Sequence, residues 1–133
     1  MHKIFARRLG RAMILVAAAA LLFDGYMQFT SPPPMVAALE HIGYPADAGP
    51  LLSLLTLGCA LLLAFPATSF AGAVLTTAFL GGAIAVHVPA SGLGSPPQFI
   101  SVGIGILVWV GLALAEPGIF ALLGSRKPVP APR

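Results

Sequence analysis

An all-α fold, a polytopic transmembrane four-helix bundle, is predicted by three features of the sequence. Charged residues make up 8% of the 133-residue chain and hydrophobic residues 58%, with a mean hydropathy of +0.96, whereas soluble domains devote about a quarter of their residues to charge. The apolar residues collect into four runs close to the roughly 20 helical residues that cross a hydrocarbon core about 30 Å thick. The seven basic residues, Lys3, Arg7, Arg8, Arg11, Arg126, Lys127 and Arg133, all lie at the two ends of the chain. With an even number of spans, that pattern predicts both termini in the cytoplasm. Residues 1–133 are expected to form one membrane domain.

The first span is expected over residues 9–29. Its basic start and apolar run resemble a signal peptide, but the run passes into Asp24, Gly25 and Tyr26 where a cleavage site of small residues would be needed. A retained helix is therefore expected. The loop that follows contains SPPPMVAALEHIGYP. Ser31 is a possible cap, the prolines suit a helix start, and Val36, Leu39 and Ile42 recur at three-residue spacing before Gly43. A short interfacial helix is expected there, covering the outer mouth of the bundle. The second span is expected over 48–65 and ends at Pro66. The third, 69–88, stops before Pro89, and the fourth, 98–115, follows a loop rich in proline and glycine.

This threading sorts the polar residues. Asp24, Gln28, Glu40, His41, Asp47, His87 and Gln98 fall toward the non-cytoplasmic side, and Glu116 falls on the other side near Arg126 and Lys127. Asp24 is the exceptional residue, a carboxylate inside a span, and such groups face the bundle or a wet cavity. Gln28, four residues on, shares its helical face and is within hydrogen-bonding reach. His87 closes the third span at a comparable depth. These three are the candidate ligand-binding residues. The alternative for Asp24 is a capping bond to a neighbouring helix end, and for His87 an interfacial position before Pro89.

Small residues recur along the third span at Ala73, Thr77, Gly81 and Ala85, with Gly82 beside them, and Ser101, Gly105, Trp109 and Ala113 repeat at the same spacing on the fourth. Small strips let membrane helices approach closely, so contact between these two spans is expected there.

Several segments resemble the DoxX-like family of small four-helix membrane proteins. They are FDGYMQF with the prolines after it, HIGYP at 41–45, LGGAIAVH at 80–87 and VWVGLALAEP at 108–117. The resemblance covers roughly residues 15–127, and it implies a four-helix transmembrane bundle. It also implies links to redox biology, since the family takes its name from a subunit of an archaeal thiosulfate:quinone oxidoreductase, and related proteins act in assembly or trafficking. The family pattern usually places a lysine where this chain has Gln28, and basic residues near Ala67, after His87 and at Ala115. This chain lacks those charges, so an intramembrane Asp–Lys pair is not available to Asp24.

Other chemistries find little support. Nucleic-acid binding needs basic groups gathered on one folded face, and here they sit only at the termini. Cys59 is the sole cysteine, which excludes an intrachain disulfide and a C-x-x-C exchange pair. No cluster has metal-ligand spacing, and Gly103 to Gly105 lack the third glycine of a dinucleotide fingerprint. With no catalytic constellation and no evident cofactor, a non-enzyme is favoured. The leading expectation is an accessory subunit or assembly factor of a redox-linked membrane complex, bound to a membrane protein or to a second copy of itself. One alternative is a module binding a quinone or another small amphiphile in an outer-leaflet pocket, and another is a permeation pathway formed by an oligomer. The expected location is the lipid bilayer of a bacterial cytoplasmic (inner) membrane.

Overall fold

The structure, a computed structural model, describes residues 2–124. Six α-helices account for most of them: α1 (His2–Thr30), α2 (Pro33–His41), α3 (Gly49–Ala64), α4 (Ser69–Ser91), α5 (Pro96–Ala115) and α6 (Pro117–Gly124), with a 3-10 turn at Ala46–Ala48 leading into α3. Four of these segments, α1, the turn with α3, α4 and α5, are long and apolar enough to cross a membrane. Their outward faces are studded with large apolar side chains such as Phe29, Leu54, Phe65 and Phe99, all more than 60% exposed. In water that surface would be a liability; in lipid it is the expected solvent face.

The helix ends follow local chemistry. Ser31 stands at a φ of +43° and closes α1, its N–H donating to Met27 O and its Oγ to Gln28 O. It therefore ends the helix before it and is not the cap of the next, which starts from Pro32 with prolines in its first turn. Gly43, at a φ of +86°, donates to Glu40 O and so stops α2 where only glycine turns freely. Two helices run further than the prolines suggested. Helix α4 continues through Pro89 to Ser91, where Gly92 N–H reaches back to Val88 O. Helix α5 begins at Pro96, because a first turn has no need of the N–H groups that Pro96 and Pro97 lack. Gln98 Oε1 accepts from the N–H groups of Gly94 and Ser95 and fixes that start. Helix α6 was not foreseen.

Helix α1 packs against α3 and α5, and α4 packs against the same two, so α1 and α4 face each other across the bundle. One end, the tail end, holds His2, the α3–α4 turn and the start of α6; the other, the capped end, holds α2. The core lies in the tail half. Ile14, Ala17, Ala18 and Leu21 of α1 meet Cys59, Ala60 and Leu63 of α3, Ala73 of α4, and Val108 and Leu112 of α5. The closest approaches are there too. A Cβ on Gly10 would stand 2.5 Å from Gly111 O and 2.6 Å from Ala115 N, and one on Gly72 would stand 2.7 Å from Leu63 N. Arg11 reaches from α1 to the carbonyls of Leu63 and Ala64, satisfying the open end of α3. Glu116 Oε1 accepts from Ser69 Oγ at 3.1 Å, while Arg126 and Lys127, its expected neighbours, lie outside the described residues.

Contact between α4 and α5 is real but shorter than the small strip suggested. Ala73 is in the core, and Trp109 Nε1 donates to Thr77 Oγ1 at 2.8 Å. Phe70 and Phe120 each meet the indole edge to face. Beyond Thr77 the strip turns outward. Gly81, Gly82 and Ala85 are exposed, and a Cβ on Gly81 or Gly82 would meet nothing within 4 Å. A Cβ on Gly105 would meet only the tip of Leu80, at 3.9 Å. The physical reason is that residues four apart advance about 40° per step around a helix, so the strip winds off the α5 contact, while Gly82 lines the inside of the capped half, where the bundle opens.

Candidate functional site

The opening is a cavity of about 660 Å³ in the capped half, a size that suits a drug-sized molecule. All five elements at that end build it. Helix α1 supplies the face carrying Phe23, Asp24 and Gln28; α4 supplies Phe79, Gly82, Ala83 and His87; Leu52 and Leu55 come from α3, and Ile100, Ser101 and Ile104 from α5. The cavity exists because much of its wall is small. Ala20, Ala78, Gly82 and Ala83 stand where larger side chains would fill the gap between the facing helices α1 and α4.

Helix α2 closes the end. Met35, Ala38, Leu39 and Ile42 line the cavity from that side, with Tyr44 just after them. Leu39 is 5% exposed, so of the three spaced apolar residues it is the one driven fully inward. Val36 does not line the cavity. The helix is tied across to α4 by His41 Nε2 and Ser91 Oγ, 3.2 Å apart. The sides are less closed: Phe23, Leu55 and Ile100 line the cavity while being 66, 51 and 62% exposed. In a bilayer such gaps between helices face acyl chains.

The three sequence-predicted binding residues, Asp24, Gln28 and His87, all line this one cavity. Asp24 is half-buried, and Gln28 Nε2 donates to its Oδ2, the pairing that four-residue spacing allows. Gln28 itself is 6% exposed, and its Oε1 has no hydrogen-bond partner among the described residues. An amide oxygen buried without a donor costs about 1–3 kcal/mol, so Gln28 is held in place at an energetic cost. Part of what holds it is α3. Gly49 packs so tightly that a Cβ there would lie 2.5 Å from Gln28 O, and Ser53 Oγ donates to Gly25 O one turn earlier.

His87 lies on the opposite wall. Its Nδ1 is 2.7 Å from Ala83 O, and since a carbonyl only accepts, Nδ1 carries the proton. The neutral ring then keeps Nε2 as an acceptor. Tyr44 and Ser101 complete the polar lining. Sequence reasoning read Ser101 only as part of a packing strip and passed over Tyr44, whose signal was available: it follows the stop of a helix already expected to cover the bundle mouth.

Among the described residues no group of three or more His, Cys, Asp or Glu side chains gathers as a metal site, and Cys59 is buried in the core and does not line the cavity. The site is a mostly apolar chamber with a few polar groups on facing walls, suited to holding an amphiphile by its head.

Comparison with curated proteins yields no match, and comparison with solved structures yields none. A family model does match, that of the DoxX-like family, over residues 12–111, a stretch containing α2, α3, α4, and the cavity faces of α1 and α5. The chain belongs to the DoxX-like family, and it is an integral membrane protein built as a four-helix bundle.

Proposed function

We propose that the protein is a membrane-embedded binding module for a small amphiphile, held in the capped-half cavity with its head near Asp24, Gln28 and His87. The observation that carries this reading is the convergence of those three side chains, from facing helices, on one apolar chamber of about 660 Å³. Convergent polar groups in an otherwise apolar pocket are the ordinary signature of a small-molecule site. The side gaps beside Phe23, Leu55 and Ile100 supply a route from the bilayer, so the ligand need not cross water. The quinones suggested by the family resemblance belong to this broad class.

The accessory-subunit reading rests on a different observation. Gly81 and Ala85 present a small, exposed strip on the outer side of α4, which suits close approach of another membrane helix. The two readings are compatible, since ligand and partner would use opposite sides of α4. A permeation pathway within one chain is disfavoured by the filled tail half.

Filling the chamber tests the proposal. Ala83→Phe places an aromatic ring in the cavity, and the expected outcome is loss of binding of amphiphiles retained by the wild type in mild detergent, with unfolding resistance unchanged. Retention of the same extracted lipids and small molecules by both forms would sink the reading. Orientation is tested separately. With cytoplasmic termini, a reporter inserted at residue 46 lies on the non-cytoplasmic side, and one fused to the C terminus on the cytoplasmic side.

A further inference from the structure

The charges and donors around the cavity bear on what kind of head it accepts. Between Arg11 and Arg126 the chain has no lysine or arginine, so no side chain with a permanent positive charge can reach Asp24 from within the membrane segments. What Asp24 receives among the described residues is one hydrogen bond, from the neutral amide of Gln28. A half-buried carboxylate in a membrane helix is costly without compensation, and a neutral dipole offsets only part of that cost.

The other polar groups of the wall supply no permanent positive charge to compensate that carboxylate. Gln28 Oε1 is an acceptor with no partner among the described residues. His87 has its Nδ1 proton engaged by Ala83 O, so when the ring is neutral its Nε2 is a second acceptor. The hydroxyls of Tyr44 and Ser101 act in either role. The wall therefore offers one carboxylate and two further acceptors, and its donors, the two hydroxyls and the second N–H of Gln28 Nε2, are all neutral. A carbonyl head, which only accepts, can take a proton from a hydroxyl or amide of the wall but leaves the carboxylate of Asp24 uncompensated. A head with several N–H donors and a positive charge is well matched, because charge-assisted bonds are roughly twice as strong as neutral ones.

We infer that the cavity selects amphiphiles with an ammonium head, Asp24 serving as counter-ion and Gln28 and His87 as neutral acceptors. This rests on the reading of the cavity as an amphiphile site, so the test separates the two claims. Three probes share a phenylalkyl body and differ in the head: 4-phenylbutylamine, 4-phenylbutan-1-ol and the acceptor-only 4-phenylbutan-2-one. Each is titrated by calorimetry into the full chain in nanodiscs of neutral phosphatidylcholine, with empty nanodiscs subtracted for partitioning.

The expected result is that the amine binds about tenfold more tightly than the alcohol, the worth of roughly one charge-assisted contact, and that the ketone binds weakest. Asp24→Asn should bring the amine to within about threefold of the alcohol, which is less than one hydrogen bond's worth, and leave the alcohol unaffected. Asp24→Glu should retain the preference for the amine. Alcohol or ketone binding as tight as the amine in the wild type overturns the ammonium selectivity while the amphiphile reading stands. Binding of all three no greater than to empty nanodiscs overturns both. The wild-type ratio decides even where Asp24→Asn does not fold. Where it does fold, an amine preference surviving in it shows that the charge of Asp24 is not the selector and overturns the inference.

Discussion

In the tail half of the bundle Gly10 of α1 lies against Gly111 of α5, and Gly72 of α4 lies against the backbone of α3; in the capped half Gly81 and Gly82 of α4 lie against nothing. The residue type is the same and the structural consequence is opposite. Water gives no hydrophobic push between helices inside lipid, so association rests on close packing and interhelical hydrogen bonds. At the tail end the small residues let backbones meet, and the core of Ile14, Leu63, Val108 and Leu112 fills what remains. At the capped end Gly81 and Ala85 face outward while Gly82 and Ala83 line the cavity, and there the small side chains make room. One half holds the fold together, and the other holds space open.

This contrast predicts that stability is concentrated in the tail half, and the largest effect is expected at Gly10. Its methyl would fall 2.5 Å from Gly111 O and 2.6 Å from Ala115 N. Both are backbone atoms of α5 and cannot swing aside, so Gly10→Ala must separate two helices. Overpacking of this kind costs typically 1–3 kcal/mol. We expect a loss of about 2 kcal/mol in reversible unfolding by SDS in mixed micelles. An unaffected midpoint would break the account of the tail half.

Next in size is Arg11→Met. The guanidinium is bonded to the last carbonyls of α3, Leu63 O and Ala64 O, and hydrogen bonds involving a charged group contribute about 1.5–3 kcal/mol. Arg11 is half-buried, so water replaces part of what is lost, and a drop of about 1 kcal/mol is expected. The same titration measures it. A smaller effect is expected from Thr77→Val, which removes the acceptor for Trp109 Nε1. Interhelical hydrogen bonds in membrane bundles contribute about 0.6 kcal/mol on average. Trp109 is the only tryptophan, so its emission reports directly on the freed N–H.

How much of this was legible beforehand depends on whether the deciding constraint is local. The membrane helices were, because lipid forces every backbone N–H and C=O to pair within the helix and the apolar runs must match the bilayer. The Asp24–Gln28 pair was legible for the same reason, since four-residue spacing fixes which side chains share a face. Helix α2 was announced by its prolines, by the spacing of Leu39 and Ile42, and by Gly43. The cavity was not legible. Its volume depends on how far apart α1 and α4 stand across the bundle, a tertiary outcome that Gly82 and Ala83 do not encode by themselves. Arg11 was read only as part of the basic cluster that orients the chain, whereas the fold also uses it to finish a helix fifty residues away. The Gly10–Gly111 contact was missed because a crossing point between helices leaves no mark at either glycine taken alone.

The smallest predicted effect separates the halves most cleanly. Gly81→Ala adds the same methyl group as Gly10→Ala, again within a membrane helix. At Gly81 the added Cβ meets nothing within 4 Å, so no helix has to move. The substitution also removes the backbone freedom that glycine carries in the unfolded chain, a gain of about 0.5–1 kcal/mol in helix interiors. Gly81→Ala is therefore expected to leave the SDS midpoint unchanged or slightly raised. A loss comparable to that at Gly10 would mean that the outer strip of α4 is covered, either by a second copy of the chain or by a closer arrangement of its own helices. Repeating the titration at tenfold lower protein concentration tells these apart, because only a contact between copies weakens on dilution.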